Sequence, residues 1–408
     1  MKKAILALLL CACLLASALP ALASEDYSQA RPIALNQPVE DHLEDYADVQ
    51  LYTLALSEPG SLTLGFQFVP GGDYIVELLA ADASGELTVL QYTDFYYDKE
   101  TVTGVIILQA NRMRLPAGTY YLRVKAYNAS GWRGDAYVLT PAFQAEPGGC
   151  CEQEFNDSAR YAMRLDPNQS VNGNLSSYSD TDFYHFSLMQ PGCLQMRFSF
   201  APGGDYDFRL YTLNAEGGLD QLQYYNIFFG GESQTALIQR ELDRQRLPAG
   251  EYYIEIAAYN SSGFVNDDYV LSLAFAGEAA PACEVEFNDS GLTANPIALG
   301  SAVTGNLNSY LDEDFFLFAL DHAGSVALSF GFAPGGDYNV EVYAVNADGT
   351  LNRIEYFNFY ASEESMLPQV TQTSDAMDLQ AGTYFVRVTA YNSSGYSDDD
   401  YTLAVLPG

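Results

Sequence analysis

The chain has 408 residues and a formal charge of −35 at neutral pH, from 53 acidic and 18 basic side chains. A chain this acidic is not expected to bind nucleic acid or an anionic membrane through charge. At the same time 48% of the residues are apolar and 13% are aromatic, which excludes a disordered acidic tail. We therefore expect a folded protein with an acidic surface, suited to cations or basic partners.

The first 23 residues have the form of a secretion signal. Lys2 and Lys3 precede an apolar run over residues 4–15, and Ala21-Leu22-Ala23 is a small-residue cleavage site. The apolar run is too short to cross a membrane, and no later stretch approaches ~20 apolar residues. A lipoprotein motif ending at Cys13 is the alternative, although another apolar stretch follows it. We predict a signal peptide over 1–23 and a secreted, extracellular protein, with cell-surface association as the alternative.

Four cysteines follow the signal, and their pairing is left open. Exported proteins can form disulfides, so one or two bridges are allowed. The spacing lacks the CxxC pairs or histidines of a zinc site. The four are Cys150, Cys151, Cys193 and Cys283.

The sequence repeats itself three times at an interval of 132 residues. The stretch FVPGGDYIVELLAADASGEL from Phe68 returns in related form at Phe200 and Phe332. The stretch LPAGTYYLRVKAYNASG from Leu115 returns likewise at Leu247 and Leu379. Solenoid repeats are only about 20–50 residues long, so this interval indicates tandem domains. We place copy 1 at 24–146, copy 2 at 152–278 and copy 3 at 284–408, joined by short seams.

Each copy is predicted to be all-β. In EYYIEIAAY of copy 2, apolar side chains from Tyr252 to Ala258 alternate with the more polar set from Tyr253 to Tyr259, the period of a strand with one wet side. Turn signals such as PGGD, NADGT and NSSG break the chain at short intervals. We therefore predict three tandem jelly-roll-like β-sandwich domains, and we expect a monomer.

An acidic phrase opens copies 2 and 3, as CEQEFNDSA from Cys151 and CEVEFNDSG from Cys283. About two dozen residues later each copy has an Asp-x-Asp pair at a predicted strand start. Ca²⁺ takes six to eight oxygen ligands, whereas Mg²⁺ usually keeps several waters. The spacing is not that of an EF-hand loop, so the ligands would come from two separate segments. We predict calcium ligands at Glu152, Glu154, Asn156, Asp157, Asp180, Asp182, Glu284, Glu286, Asn288, Asp289, Asp312 and Asp314.

Copy 1 lacks both halves of this predicted site. The position equivalent to Glu154 is Leu22, inside the signal, and the Asp-x-Asp pair is reduced to Asp48 and Gln50. Joint loss is what shared metal ligands would produce. The alternative is that these acids cap turns and keep edge strands soluble.

The ordered set of motifs resembles a known family. E-x-E-x-N-D-S, VNGNL or VTGNL, D-x-D-F-[YF]-x-F, PAG-x-YY and a closing DDY-x-L together look like the bacterial pre-peptidase C-terminal domain, and are similar to the collagen-binding domains of clostridial collagenases. The resemblance covers copies 2 and 3, and copy 1 without its opening phrase. It implies a jelly-roll-like sandwich in which the acids named above hold calcium. No peptidase domain precedes the copies in this sequence, so a role with a peptidase would act in trans.

Catalysis is not expected. The three histidines do not occupy equivalent repeat positions, and neither G-x-S-x-G nor H-E-x-x-H occurs. A glycosidase needs only two carboxylates, and that possibility stays open at the sequence level.

Binding is favoured instead, because aromatic residues recur on the predicted outer faces. Tyrosine there offers flat contact area with a polar tip for collagen-like peptides, other extended chains or sugars. The alternative is that these rings pack under loops. The predicted ligand-binding residues are Tyr121, Tyr127, Tyr253, Tyr259, Phe385 and Tyr391.

We therefore predict a secreted, non-catalytic, calcium-binding module for adhesion or for binding a protein or polysaccharide. The alternatives are a trans-acting accessory of an exported peptidase and a cell-surface structural protein; a hydrolase is less favoured.

Overall fold

In a computed structural model the chain is described over residues 27–81, 86–97, 104–146, 151–229, 236–277, 283–346, 348–362 and 367–408. The predicted signal peptide and Cys150 lie outside these ranges. Within them the only helices are two single 3₁₀ turns, Tyr27–Gln29 and Ala159–Tyr161. Neither has the length and apolar character to cross a membrane.

Each copy contributes ten strands. Those of copy 1 are β1 (Arg31–Pro32), β2 (Val39–Asp41), β3 (Val49–Leu56), β4 (Gly60–Phe68), β5 (Asp73–Ala81), β6 (Leu87–Tyr96), β7 (Ile106–Gln109), β8 (Met113–Leu115), β9 (Gly118–Ala126) and β10 (Tyr137–Ala145). Those of copy 2 are β11 (Met163–Arg164), β12 (Ser170–Gly173), β13 (Thr181–Leu188), β14 (Gly192–Phe200), β15 (Asp205–Leu213), β16 (Leu219–Phe228), β17 (Ile238–Glu241), β18 (Gln245–Leu247), β19 (Gly250–Ala258) and β20 (Tyr269–Gly277). Those of copy 3 are β21 (Asn295–Pro296), β22 (Ala302–Gly305), β23 (Glu313–Leu320), β24 (Gly324–Phe332), β25 (Asp337–Val345), β26 (Leu351–Tyr360), β27 (Val370–Thr373), β28 (Met377–Leu379), β29 (Gly382–Ala390) and β30 (Tyr401–Pro407).

The ten strands of a copy form two sheets. In copy 2 one sheet has the order β11-β13-β19-β15-β16, and the other has the order β12-β20-β14-β17 with β18 beside β14. Copies 1 and 3 repeat both orders with their own strands. The short edge strand β11 runs parallel to β13, whereas β13 and β19 are antiparallel. The prediction of three tandem β-sandwich domains is confirmed.

Alternating side chains build the core of each sandwich. Along β13 the residues from Asp182 to Leu188 with even numbers are buried, and those between them are partly exposed. Tyr184 and Tyr269 face each other from the two sheets, and their hydroxyls lie 2.6 Å apart. The strand pattern read from EYYIEIAAY is correct, since Tyr252, Ile254 and Ile256 belong to the core of copy 2.

Contacts between backbone positions group the chain into two compact units. One consists of Met1–Ser57, Leu64–Ala110 and Gly118–Ala142. The other consists of Glu58–Thr63, Asn111–Ala117 and Phe143–Gly408, so it includes copies 2 and 3 and strand β8. Both acidic phrases and their surroundings lie in the second unit.

Candidate metal centre

The acidic phrase of copy 2 runs alongside strand β12 and is fixed there by its backbone. Cys151 forms an isolated parallel bridge with Asn172, and the Glu152 amide donates to the carbonyl of Asn172 at 2.8 Å. The Phe183 amide, on β13, donates to the carbonyl of Asn156 at 2.8 Å. The phrase therefore lies between β12 of one sheet and β13 of the other, which brings its acids to the Asp-x-Asp pair at the start of β13. Copy 3 repeats these contacts through Cys283, Glu284 and Asn288.

Three carboxylates converge in copy 2. One oxygen from each of Glu154, Asp157 and Asp180 lies within 4.8 Å of the others. The equivalent residues of copy 3, Glu286, Asp289 and Asp312, converge in the same way. The two halves of the predicted site are thus brought together in both copies.

Two further predicted ligands of each copy carry buried oxygens without hydrogen-bond partners among the described residues. Asp182 is fully buried; its Oδ2 accepts a hydrogen bond from the Tyr269 hydroxyl at 2.6 Å, while its Oδ1 has no hydrogen-bond partner within the described residues. Asn156 is 1% exposed, and its side-chain oxygen is likewise without a partner there, as is Oε1 of Glu154. Buried polar atoms are nearly always satisfied. Asp314 and Asn288 repeat the first two features in copy 3.

Burial and mutual repulsion disfavour the ionised form of these carboxyl groups when no cation is bound. Burial raises the pKa of Glu154 well above its ordinary value, and the charges of Asp180 and Glu152 raise it further. Burial and the charges of neighbouring carboxylates also raise the pKa of Asp182. The same causes act on Glu286 and Asp314. A bound cation would reverse this repulsion.

Glu152 and Glu284 differ from the other predicted ligands, because their oxygens already have partners. Oε1 of Glu152 accepts from the Asn174 amide, and Oε2 accepts from the Tyr184 hydroxyl at 2.9 Å. The Tyr269 hydroxyl, which donates to Asp182, also lies 3.2 Å from Oε2 of Glu152. Glu284 accepts from the Asn306 amide at 2.6 Å and from the Tyr401 hydroxyl at 3.3 Å. Glu284 still lies within 4.8 Å of Glu286 and Asp314 through one oxygen of each.

A buried arginine beside each of these glutamates was missed by the sequence reasoning. Arg114, on β8, places Nη1 3.5 Å from Oε1 of Glu152 and donates to Oδ1 of Asn174 at 2.9 Å. Its Nη2 donates to Asp268 at 2.9 Å. The arginine recurs as Arg246 but becomes Asp378 in copy 3, a pattern that could have identified it. A positively charged side chain therefore already lies beside Glu152 in copy 2 and beside Glu284 in copy 3.

Copy 1 has a turn in place of the cluster. Oδ2 of Asp48 accepts from the Glu44 amide at 2.9 Å and from the Gln50 side chain at 3.1 Å. Asp180 caps the equivalent turn through the Ser176 amide at 2.6 Å, so turn capping alone does not distinguish the copies. Among the described residues of copy 1, no three His, Cys, Asp or Glu side chains converge as they do in copies 2 and 3.

The predicted ligand-binding aromatics fall into two groups. Tyr127, Tyr259 and Tyr391 are each more than half exposed. By contrast Phe385 is buried at 8% exposure, with Gly291 nearby, and Tyr253 packs beside His185 at 4.9 Å between ring centroids. Tyr121 contacts Tyr27 edge-on at 5.6 Å. For Phe385 the expected exposure is wrong; the alternative that such rings pack under neighbouring segments fits it better.

A second set of exposed rings, on strands β6, β16 and β26, was not predicted. It recurs at the 132-residue interval, which is the signal that would have found it. Its members are Tyr92, Tyr96, Tyr224, Phe228, Tyr356 and Tyr360.

Comparisons with known proteins give structural likenesses only. No protein-family model matches the sequence, and no curated protein does. A pre-peptidase C-terminal domain of collagenase from Bacillus anthracis is similar over 28% of this chain and 93% of its own, at 18% identity and a TM-score of 0.20. The tandem CBM22-1-CBM22-2 domain from Paenibacillus barcinonensis Xyn10C is similar over 54% of this chain and 81% of its own, at 9% identity and a TM-score of 0.19. Likenesses with TM-scores this low do not indicate the function of this chain.

Proposed function

We propose that the protein is a secreted, non-catalytic binding module whose copies 2 and 3 each hold one Ca²⁺. The observation that carries the proposal is the pair of equivalent, mostly buried clusters, in which converging carboxylates accompany buried oxygens that have no hydrogen-bond partner among the described residues. In copy 2 the ligand set would be Glu154, Asn156, Asp157, Asp180 and Asp182, with Glu152 turned toward Arg114.

The chemistry of this donor set favours calcium over other divalent metals. All donors are carboxylate or amide oxygens, and Ca²⁺ accepts six to eight such ligands in flexible geometry. Zinc and copper prefer nitrogen and sulfur ligands. The bound ion would neutralise the acids and hold the acidic phrase against the start of β13. Extracellular calcium modules bind with Kd of about 10⁻⁴–10⁻³ M, which suits a secreted location.

Two observations support a non-catalytic binding role: the contacts of the histidines with carboxylates and the recurring exposed aromatic residues. Nε2 of His185 lies 2.5 Å from Oε2 of Glu251 on the sheet surface, and His42 contacts Glu44 on an exposed turn. The Ser187 hydroxyl donates to the same Glu251 oxygen at 2.7 Å rather than to His185, so these contacts do not pair a histidine base with a nucleophile. Exposed aromatic side chains at equivalent positions of three copies suit repeated binding of an extended extracellular chain, with affinity raised by multivalency.

Calcium titration by calorimetry tests the metal sites. We expect two ions per chain. Asp157→Asn and Asp289→Asn each change an exposed member of one cluster, so each should leave one ion, and the double variant should bind none. Asp220→Asn, an exposed acid away from both clusters, is the control and should keep both. Absence of binding at millimolar calcium would overturn the proposal.

A further inference from the structure

Another feature recurs in all three copies: a carboxylate lies between exposed aromatic residues on the outer face of a sheet. In copy 2, Asp205 at the start of β15 lies opposite Phe228 on β16. On its other side the Tyr259 amide donates to the Asp205 carbonyl at 2.9 Å. Cross-strand neighbours have Cβ atoms about 5 Å apart on the same face, so both rings flank the carboxylate. The equivalent residues are Asp73, Tyr96 and Tyr127 in copy 1 and Asp337, Tyr360 and Tyr391 in copy 3.

In copy 3 this carboxylate lines an open pocket of about 370 Å³, a size in the range of side-chain and small-molecule sites. The loop after β29 forms one wall and is held by its own hydrogen bonds: Oδ1 of Asn392 accepts from the amides of Ser394 at 2.9 Å and Gly395 at 3.0 Å. Tyr360 forms the opposite wall. The lining residues are Gly335, Asp337, Tyr360, Asn392, Ser394 and Gly395.

Among the described residues, side-chain hydrogen bonds to the pocket aspartates reach only one carboxylate oxygen, which leaves the other for a ligand. Oδ1 of Asp337 accepts from the Asn358 side chain at 2.7 Å, and Oδ1 of Asp205 accepts from Asn226 at 2.8 Å. Within the described residues no basic side chain pairs with Asp205 or Asp337. An anionic oxygen flanked by aromatic residues favours a cation.

In copy 1 a guanidinium of the chain itself lies beside the equivalent loop. The guanidinium of Arg133 lies against Gly71, where an added Cβ would meet Nη2 at 2.9 Å, and its Nη1 donates to the Ser130 carbonyl at 3.2 Å. Gly71 and Ser130 are the equivalents of Gly335 and Ser394, which line the pocket of copy 3. Position 133 corresponds to Val265 in copy 2 and Ser397 in copy 3, so neither has a guanidinium there.

We propose that the pocket at Asp337, and its counterpart at Asp205, bind arginine or lysine side chains of a basic extracellular polypeptide. The cation would lie over the ring of Tyr360 or Phe228, with its N–H groups donating to the free carboxylate oxygen and to the loop carbonyls. The net charge of −35 would attract such a chain at long range. This inference rests on the proposed binding role and names its partner, but uses no metal ligand.

The test is binding of a fluorescent nona-arginine peptide to the full chain in calcium, followed by anisotropy. The matched peptide carries citrulline, which keeps the shape of arginine without its charge. All variants carry Asp205→Asn, which removes the carboxylate of the copy 2 pocket, so that the copy 3 pocket is the one tested. Adding Asp337→Asn should weaken binding of the arginine peptide about tenfold, because a charge-assisted hydrogen bond is lost. Adding Asp375→Asn, an exposed acid on the other sheet's β27–β28 loop, changes the net charge equally and should have little effect.

Self-occupation gives a second, independent readout. Ser397→Arg places a guanidinium where copy 1 has Arg133, and should block the pocket without altering the carboxylate. Ser397→Met adds comparable length without charge and should not block it. Conversely, Arg133→Ser should open a further site in copy 1.

Three results would overturn the inference: equal loss in the Asp337 and Asp375 variants, equal binding of the citrulline peptide, or binding of a neutral oligosaccharide such as cellohexaose that is unchanged by Asp337→Asn. The first result would indicate nonspecific attraction to an acidic surface, and the third would indicate a polysaccharide site. Calcium titration by calorimetry, without the peptide, then shows separately whether the chain binds two calcium ions.

Discussion

Nη1 of Arg246 lies 3.6 Å from Oε1 of Glu284, with side chains that are 2% and 0% exposed. The arginine comes from strand β18 of copy 2 and the glutamate from the acidic phrase of copy 3. Arg246 also donates to the side-chain oxygens of Asn306 at 3.0 Å and Asp400 at 3.1 Å. The junction between these copies is therefore closed by a buried ion pair next to the candidate metal centre.

Removing the arginine should strongly destabilise the junction. Burial raises the pKa of Glu284 to about 8. Above that pH, Arg246→Met leaves a buried carboxylate without its cation, and breaking such a pair typically costs about 3–5 kcal/mol. Arg353→Met, which removes an exposed arginine from Glu341, should cost much less, because exposed ion pairs contribute little to stability. Urea unfolding measures both. Because a buried pair replaced as a whole is often neutral, Arg246→Met with Glu284→Gln should recover much of the loss. Equal costs for the two arginine variants would contradict this role.

The repeat and the alternation of side chains were sufficient to predict the fold. The 132-residue interval fixed the number of copies, and the period of two along β19 matched the face that Ile254 and Ile256 bury. The convergence of Glu154, Asp157 and Asp180 was also predicted from the sequence. The acidic phrase and the start of the Asp-x-Asp strand come together when the phrase pairs along the edge of the sandwich.

What the sequence could not show depends on contacts between distant segments. The role of Arg246 requires the next copy to dock against β18, and no local pattern encodes that. The contrast between buried Phe385 and exposed Tyr391 depends on which segment covers each ring. Period-two reasoning gives the face of a sheet but not what lies over it.

Calcium should raise the thermal stability of the second unit. At about 1 mM Ca²⁺ and a Kd of ~10⁻⁴ M, binding to the folded state alone contributes about 1.4 kcal/mol per site. That corresponds to an increase of several degrees in Tm for a domain of this size. Differential scanning calorimetry should show the increase, and chelation should reverse it. The variant with both Asp157→Asn and Asp289→Asn should show no calcium-dependent change; an undiminished change would place the ion elsewhere.

A pair of acids in copy 1 should make its stability depend on pH. Burial raises the pKa of Asp73 to about 6, and hydrogen bonding to Asp94 adds to this effect. The folded state then holds the proton more tightly than the unfolded chain, so this contribution is full below about pH 4 and is lost as pH rises through 6. Since the carboxyl is partly exposed, solvent screening limits the contribution to about 1 kcal/mol.

Asp94→Asn gives copy 1 the arrangement of copies 2 and 3, in which Asn226 and Asn358 donate to the equivalent aspartates. It should remove that part of the pH dependence and stabilise copy 1 at pH 7, measured by urea unfolding between pH 4 and 7. Asp135→Asn, an exposed acid of the same copy, is the control. If both variants follow the same pH profile, the Asp73–Asp94 pair is not its source.

A glycine in the loop after β29 is required by the close approach of the pocket carboxylate. A Cβ added to Gly395 would lie 2.6 Å from Cβ of Asp337, and Gly131 and Gly263 stand 2.5 Å from their own aspartates by the same measure. Gly395→Ala must displace either the loop or the start of β25, at a cost of about 1–3 kcal/mol. Gly324→Ala has open space around the new Cβ and should cost little. Urea unfolding of the two variants measures both costs. A loss of stability for Gly395→Ala no greater than that for Gly324→Ala would mean that the loop does not hold Asp337 in place. A loop that shifts so easily would not position the carboxylate for a cation.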